Sequence, residues 1–236
     1  MSINENTGSS NRSYVSDFVF AGIDGTVTTF AVVAGVEGAS LSPSIVLILG
    51  FANLLADGFS MAVGNYMSLK STKEYNQRVR RIEEHHVERE PELERQEIRE
   101  IFRDKGFSGK QLEDAVEIIT SDRKIWVDTM MKDELGIIEE QKSPFRGGLV
   151  TFFAFNIIGF IPLLSYLISY IIHALKYQTF PIAIILTSCA LFVVGSVKGK
   201  IVESNWLISG FGTLIIGGVA ATIAYLVGYF LKGLVA

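Results

Sequence analysis

Apolar residues in this chain gather into long runs instead of short alternations, and the runs set the architecture. About 20 consecutive apolar residues carry a helix across a bilayer. Five stretches come up to that length: 17–39, 43–68, 147–173, 180–197 and 205–231. Between the first two stand Ser40, Leu41, Ser42 and Pro43, turn formers that end one helix and start the next. So short a link makes these two spans an antiparallel hairpin. Pro162 falls inside the third run and predicts a kink, because proline removes a backbone donor.

Between the second and third runs the pattern changes to polar sequence with an amphipathic helical period. Residues 71–90 hold few helix breakers and continue the second span, until Pro91 ends that helix or opens a new one. A helix over 92–105 is stopped by Gly106. Ser108 predicts the N-cap of a helix running to Thr120, and Ser121 or Asp122 that of another reaching about Leu135, stopped by Gly136. Ile98, Ile101, Phe102, Leu112, Val116, Ile119, Ile125 and Trp126 recur at helical spacing, enough to core a three- or four-helix bundle. The fold expected is an all-α integral membrane protein with five transmembrane helices and a helical bundle inserted between helices 2 and 3. Its parts are a disordered tail (1–16), spans 1 and 2 (17–68), the inserted domain (69–145) and spans 3 to 5 (146–236).

Charge follows the same division. Of the 21 Lys+Arg, 16 lie between residues 70 and 146, as do 19 of the 25 Asp+Glu. The rest of the chain is left with too few charges to solvate a globular surface. That excludes an ordinary soluble enzyme, a disordered chain and a nucleic-acid binder. No nucleophile–base constellation, phosphate loop or cofactor fingerprint appears, so no enzyme and no prosthetic group are expected. Cys189 is the single cysteine, which excludes an intrachain disulfide, and its apolar run predicts a buried thiol. No cleavable signal is expected, since the first apolar run follows a polar Ser/Asn-rich tail and is too long for a signal core. Orientation comes from the basic residues. With the insertion in the cytoplasm, that side also holds Arg12, Lys198 and Lys200, against Lys176 and Lys232 opposite. The N-terminus is then cytoplasmic and the C-terminus outside. Five spans do not divide into two equal repeats, so a pathway with two-fold symmetry needs a dimer.

Two carboxylates stand where lipid should be. Asp24 and Asp57 lie inside the first and second runs, and an ionised Asp at mid-membrane costs about 2.5–3.5 kcal/mol. Together they cost on the order of 5–7 kcal/mol unless a cation, a proton or water compensates, because no Lys or Arg within a span is placed to pair with them. The plainer alternative is a protonated carboxyl hydrogen-bonded across a helix pair. Asn53, Asp57, Met61 and Asn65 follow at four-residue intervals and make one stripe on the second span. Amide oxygen, carboxylate and thioether together suit a borderline divalent transition metal better than Na⁺ or Ca²⁺. Asp24 and Thr28 form a similar pair on the first span, where Gly22, Gly25, Gly35 and Gly38 admit close backbone approach. Glu37, near the far end of that span, is explained equally well by an interfacial position.

A second cluster lies in the insertion. Glu83, His86, Glu90, Glu94 and Glu97 recur every three or four residues, and Met130 and Met131 stand one turn before Glu134. Carboxylates with imidazole and thioether suit Fe²⁺, Mn²⁺, Co²⁺ or Zn²⁺. The competing account is a solvated Glu/Arg-rich face laced with ion pairs.

These pieces together resemble the vacuolar iron transporter family. The resemblance rests on DGTVTTFAVVAG (24–35), SMAVGNYMS (60–68), Glu94-x-x-Glu97 and WVDTMMKDELGI (126–137), in the family's order and topology. It implies a homodimeric exporter of Fe²⁺ or similar divalent ions from the cytosol, driven by proton antiport. Asp24 and Met61 would be translocation ligands, joined by Asp57 and Asn53. Glu83, Glu94, Glu97, Met130, Met131 and Glu134 would form a cytoplasmic metal site. Two positions depart from the plant and yeast pattern: Asn53 stands where those carry a glutamate, with Asp57 a turn later, and His86 replaces a metal-domain glutamate. Imidazole in place of oxygen shifts such a site toward softer metals. The implied partners are divalent metal, protons and the lipid bilayer. The membrane expected is a bacterial plasma membrane, with an organellar (vacuolar) one as the alternative. A membrane-anchored metal sensor or buffer, and a scaffold docking a partner through Leu112, Val116 and Ile119, are the rival functions.

Overall fold

The computed structural model describes residues 5–138, 142–172 and 178–234, with side chains from Tyr14 onward. Its described residues are helical throughout, without strands. In chain order the helices are α1 (Glu5–Gly38), α2 (Pro43–Arg89), α3 (Pro91–Asp104), α4 (Gly109–Ser121), α5 (Arg123–Thr129), α6 (Pro144–Gly159), α7 (Ile161–Ile171), α8 (Thr179–Ile201) and α9 (Trp206–Leu231). A π-helical turn, Met130–Glu134, follows α5. The chain forms two compact units, one built from the residues up to Met67 and from Lys142 onward, the other from Ser68–Gln141.

In the first unit, α1, α2, α8 and α9 are each long and apolar enough to cross a membrane, and α6 with α7 makes a fifth span if the bent pair counts as one. The break between those two helices turns the axis by 47°. Pro162 is its cause: as the second residue of α7 it has no N–H for the carbonyl four residues back. The hairpin between α1 and α2 turns on Ser40, whose φ of 55° takes the left-handed conformation, before Pro43 opens α2. α1 starts at Glu5, so the helix reaches back into the segment expected as a tail.

Packing centres on α1, which touches α6, α7, α8 and α9. Its glycines permit this. A Cβ on Gly25 would come 2.5 Å from the Phe155 carbonyl oxygen, and one on Gly159 would come 2.7 Å from the Gly25 carbonyl oxygen. The two backbones are therefore in contact across α1 and α6. Gly25→Ala is expected to destabilise this unit by about 1–3 kcal/mol, the usual cost of overpacking, read as a lower melting temperature in detergent. Around this seam Ala21, Val33, Leu54, Ala154, Phe155, Leu163 and Tyr166 are buried together. The outward faces carry Phe20, Ile48, Phe59, Ile208, Ile216 and Phe230, each more than half exposed. So much open apolar surface is unfavourable in water, and its place is against lipid or another apolar surface. Cys189 is exposed on α8, contrary to the buried thiol expected. Apolar residues surround it in sequence, but it lies on the outward face of its helix.

In the second unit the core is Val87, Ile98, Leu112, Val116, Trp126, Val127, Met130 and Met131, with Ile101, Phe102 and Ile119 packed against it. Ile125 departs from the expected core and is 46% exposed. The buried stripe here runs 126, 127, 130, 131, which leaves position 125 on the outer side of the turn. Asp122 caps α5, its carboxylate accepting from the N–H groups of Lys124 and Ile125. Ser108 precedes α4 with extended backbone, but its hydroxyl makes no cap bond. Gly106 and Gly136 adopt positive φ, 96° and 66°, where α3 and the π-helical turn end.

Candidate functional site

The two units each hold one candidate cluster. In the first, Asp24 and Asp57 are half-buried on α1 and α2. No hydroxyl of the next turn engages the Asp24 carboxylate through the expected pair, because Thr28 Oγ1 donates to the Asp24 backbone carbonyl (2.8 Å). Asn53 holds its Nδ2 buried without a hydrogen-bond partner. Met61 is partly buried against the unit's core. Asn65, the last member of the stripe, is committed elsewhere: its Nδ2 donates to Thr151 Oγ1 (2.8 Å) and to the Gly147 carbonyl (3.3 Å), tying α2 to α6.

Asp24 also lines a cavity of about 420 Å³ walled by Val19, Phe20, Ile23, Val27 and Ile216, and Lys198 lines the same cavity. α8 continues to Ile201, past the apolar run that ends at 197, and so carries Lys198 within the helix. Glu37 has a specific partner, accepting a 2.6 Å hydrogen bond from the hydroxyl of the fully buried Tyr166. Asp17 pairs with Lys142 at 2.7 Å. None of these partners is signalled by local spacing, since Glu37 and Tyr166 stand 129 residues apart.

In the second unit Glu83 and Glu94 are buried, Glu97 is half-buried, and Glu134 and His86 are exposed. His86 Nδ1 lies 3.7 Å from Glu94 Oε1, while Glu94 Oε2 is buried with no hydrogen-bond partner. Burial, then the charges of Glu97 and Glu83, push the Glu94 carboxyl up to about 7, with His86 opposing and Glu134 adding a little. Glu83 is raised by burial above all, against a lowering by His86, and Glu134 is raised by burial and then by Glu97 and Glu83. The chain has thus gathered four carboxylates into mutual repulsion. Other carboxylates of this unit pair with arginine or lysine: Glu113 with Arg99, Glu88 with Arg123, Asp133 with Lys105 and Asp128 with Arg80. Met130 and Met131 are fully buried beside Trp126 and Val127, in the π-helical turn that also carries Glu134. Among the described residues no three His, Cys, Asp or Glu side chains stand close enough to hold a metal ion ready-made. The cluster has the charge and donor types for a divalent cation, without a closed coordination shell.

The sequence model of the VIT family matches residues 15–229. A protein named vacuolar iron transporter from Toxoplasma gondii is 38% identical over 234 residues, covering 97% of this chain and 78% of its own. Vacuolar iron transporter 1 of Arabidopsis thaliana is 32% identical over 212 residues, covering 89% and 83%. The vacuolar iron transporter of Plasmodium berghei is 30% identical over 228 residues, covering 94% and 84%.

Proposed function

The chain belongs to the VIT family, and on that premise we propose that it is a transporter of divalent transition metal of the Fe²⁺/Mn²⁺ class, exporting metal from the cytosol in exchange for protons. Iron comes first because the relatives carry iron in their names. The observation that carries the reading is the pair of half-buried carboxylates, Asp24 and Asp57, each set within an apolar span. Two like charges in such a place are unfavourable alone and are balanced by one dication or by two protons. Alternate occupancy by metal and protons is antiport chemistry.

In this account Asp24, Asp57, Met61 and Asn53 are the translocation ligands. Glu83, His86, Glu94, Glu97, Met130, Met131 and Glu134 collect metal in the inserted unit, which faces the cytoplasm, and raise its concentration for the spans. His86 and the two methionines extend the range toward Co²⁺ and Zn²⁺. Protons arriving from the opposite side neutralise the aspartates and release the metal there. The pathway lies between two copies of the chain, with N-termini cytoplasmic and C-termini outside. The membrane is a bacterial plasma membrane, or an organellar one facing the same way. The protein does no covalent chemistry.

A second reading, a membrane-anchored metal sensor or buffer, draws on the Glu94 cluster alone. Uptake of Fe²⁺, Mn²⁺, Co²⁺ and Zn²⁺ into proteoliposomes, with and without an imposed pH gradient, separates the two. Transport predicts accumulation that the gradient drives. Metal binding by folded protein without uptake establishes the sensor, and neither binding nor uptake leaves a scaffold.

A further inference from the structure

Asp17 opens the apolar run of α1, and Lys142 is the residue at which the chain returns to the first unit. The Lys142 ammonium stands 2.7 Å from Asp17 Oδ2, with side-chain exposures of only 7% for the lysine and 15% for the aspartate. The same ammonium lies 5.7 Å from the centroid of the Tyr14 ring. Tyr14 Oη in turn accepts from the Ser143 N–H at 2.9 Å. As a fastening this pair is a poor choice. Desolvating two charges offsets most of their attraction, and a packed apolar pair holds two helices as well or better.

Position suggests what the charge is for. Asp17 and Asp24 are seven residues apart on α1, two turns along one face and roughly 10 Å along the axis. We infer that Asp17 is a further cation station on the way to Asp24, held at rest by the Lys142 ammonium as a tethered cation that an incoming divalent metal must displace. The inference rests on the transport reading above. A dication is drawn to the carboxylate by twice the charge of the ammonium. Lysine on a flexible stem is a competitor that yields and returns, so the station binds in transit and does not trap.

The test measures initial rates of Mn²⁺ uptake by the full-length chain in proteoliposomes, over a range of Mn²⁺ concentrations. Lys142→Met removes the competitor, and the KM for Mn²⁺ is expected to fall at least about fivefold. Lys142→Arg keeps the charge but grips the carboxylate through a planar fork, and KM should rise at least about threefold. Adding Asp17→Asn to Lys142→Met should cancel the fall in KM. Because Lys142→Arg preserves the ion pair, it reports even if the methionine variant does not assemble. A KM equal to that of wild type in both lysine variants makes the pair a structural staple and overturns the station while leaving transport intact. Wild-type vesicles that take up neither Mn²⁺ nor Fe²⁺, Co²⁺ or Zn²⁺ overturn transport and station together.

Discussion

Asp24→Asn is expected to abolish metal flux, by about 100-fold or more, without loss of folded protein. A 100-fold loss corresponds to about 3 kcal/mol of lost cation stabilisation, since each 1.4 kcal/mol is a factor of about ten. Asp57 alone leaves one carboxylate where a dication needs two negative charges for balance. Asparagine has the same shape and keeps an oxygen donor, but cannot exchange a proton for a metal. The substitution also relieves the repulsion between the two aspartates, so the variant should melt at or above the temperature of wild type. Flux and melting temperature are measured on the same preparation. Lost flux in a stabilised protein is a functional effect, and retained flux would remove Asp24 from the pathway. The Lys198 side chain on the same cavity does not rescue the variant, since it supplies a cation where an anion has been lost.

Glu94→Gln has the second large effect, and it appears in both metal binding and pH dependence. The Glu94 carboxyl is raised from 4.5 to about 7, chiefly by burial and then by Glu97 and Glu83. The sign follows from linkage. In the unfolded chain this group ionises near its ordinary value, whereas the folded apo protein keeps the proton until about 7. The contribution of Glu94 to the stability of the metal-free unit is therefore full below about 4.5, falls as pH rises toward 7, and levels off above. The loss is at most about 3 kcal/mol, because each pH unit separating folded from unfolded ionisation is worth about 1.4 kcal/mol. Glu83 and Glu134, raised by the same causes, steepen the fall. Saturating Mn²⁺ should remove the slope by compensating the charge. Glu94→Gln should remove much of it permanently, raise the metal-free stability at pH 8, and weaken Mn²⁺ binding at least about tenfold. Hydrogen exchange at the Ile98 and Trp126 amides of the full-length chain follows this unit by itself. A metal-free protein whose protection there rises from pH 5 to 8 would contradict the account.

What the sequence made legible, and what it hid, divides by range. The spans were readable because crossing a bilayer demands an apolar length that little else produces. Asp24 and Asp57 stood out because a charge in such a run is costly. Gly106, Gly136 and Asp122 announced helix ends through local backbone chemistry. Partners brought together by folding were invisible. Lys142 on Asp17, Thr151 taking up Asn65 and Tyr166 on Glu37 each join residues far apart in the chain. The same holds for Ile125, whose helical spacing fitted a core position but whose outer side of the turn faces away from it. In the acidic cluster the donor types were legible. Their mutual repulsion and the orphaned Glu94 oxygen needed the folded unit.

The central claim is exchange of metal against protons through the aspartates of the first unit. It is tested most directly by recording metal and proton movement in the same proteoliposomes, with a metal-sensitive and a pH-sensitive dye. The account predicts that Fe²⁺ or Mn²⁺ moves one way while protons move the other, and that Asp24→Asn stops both. Metal accumulation unaccompanied by protons, or proton-coupled accumulation that survives Asp24→Asn in full, would contradict it.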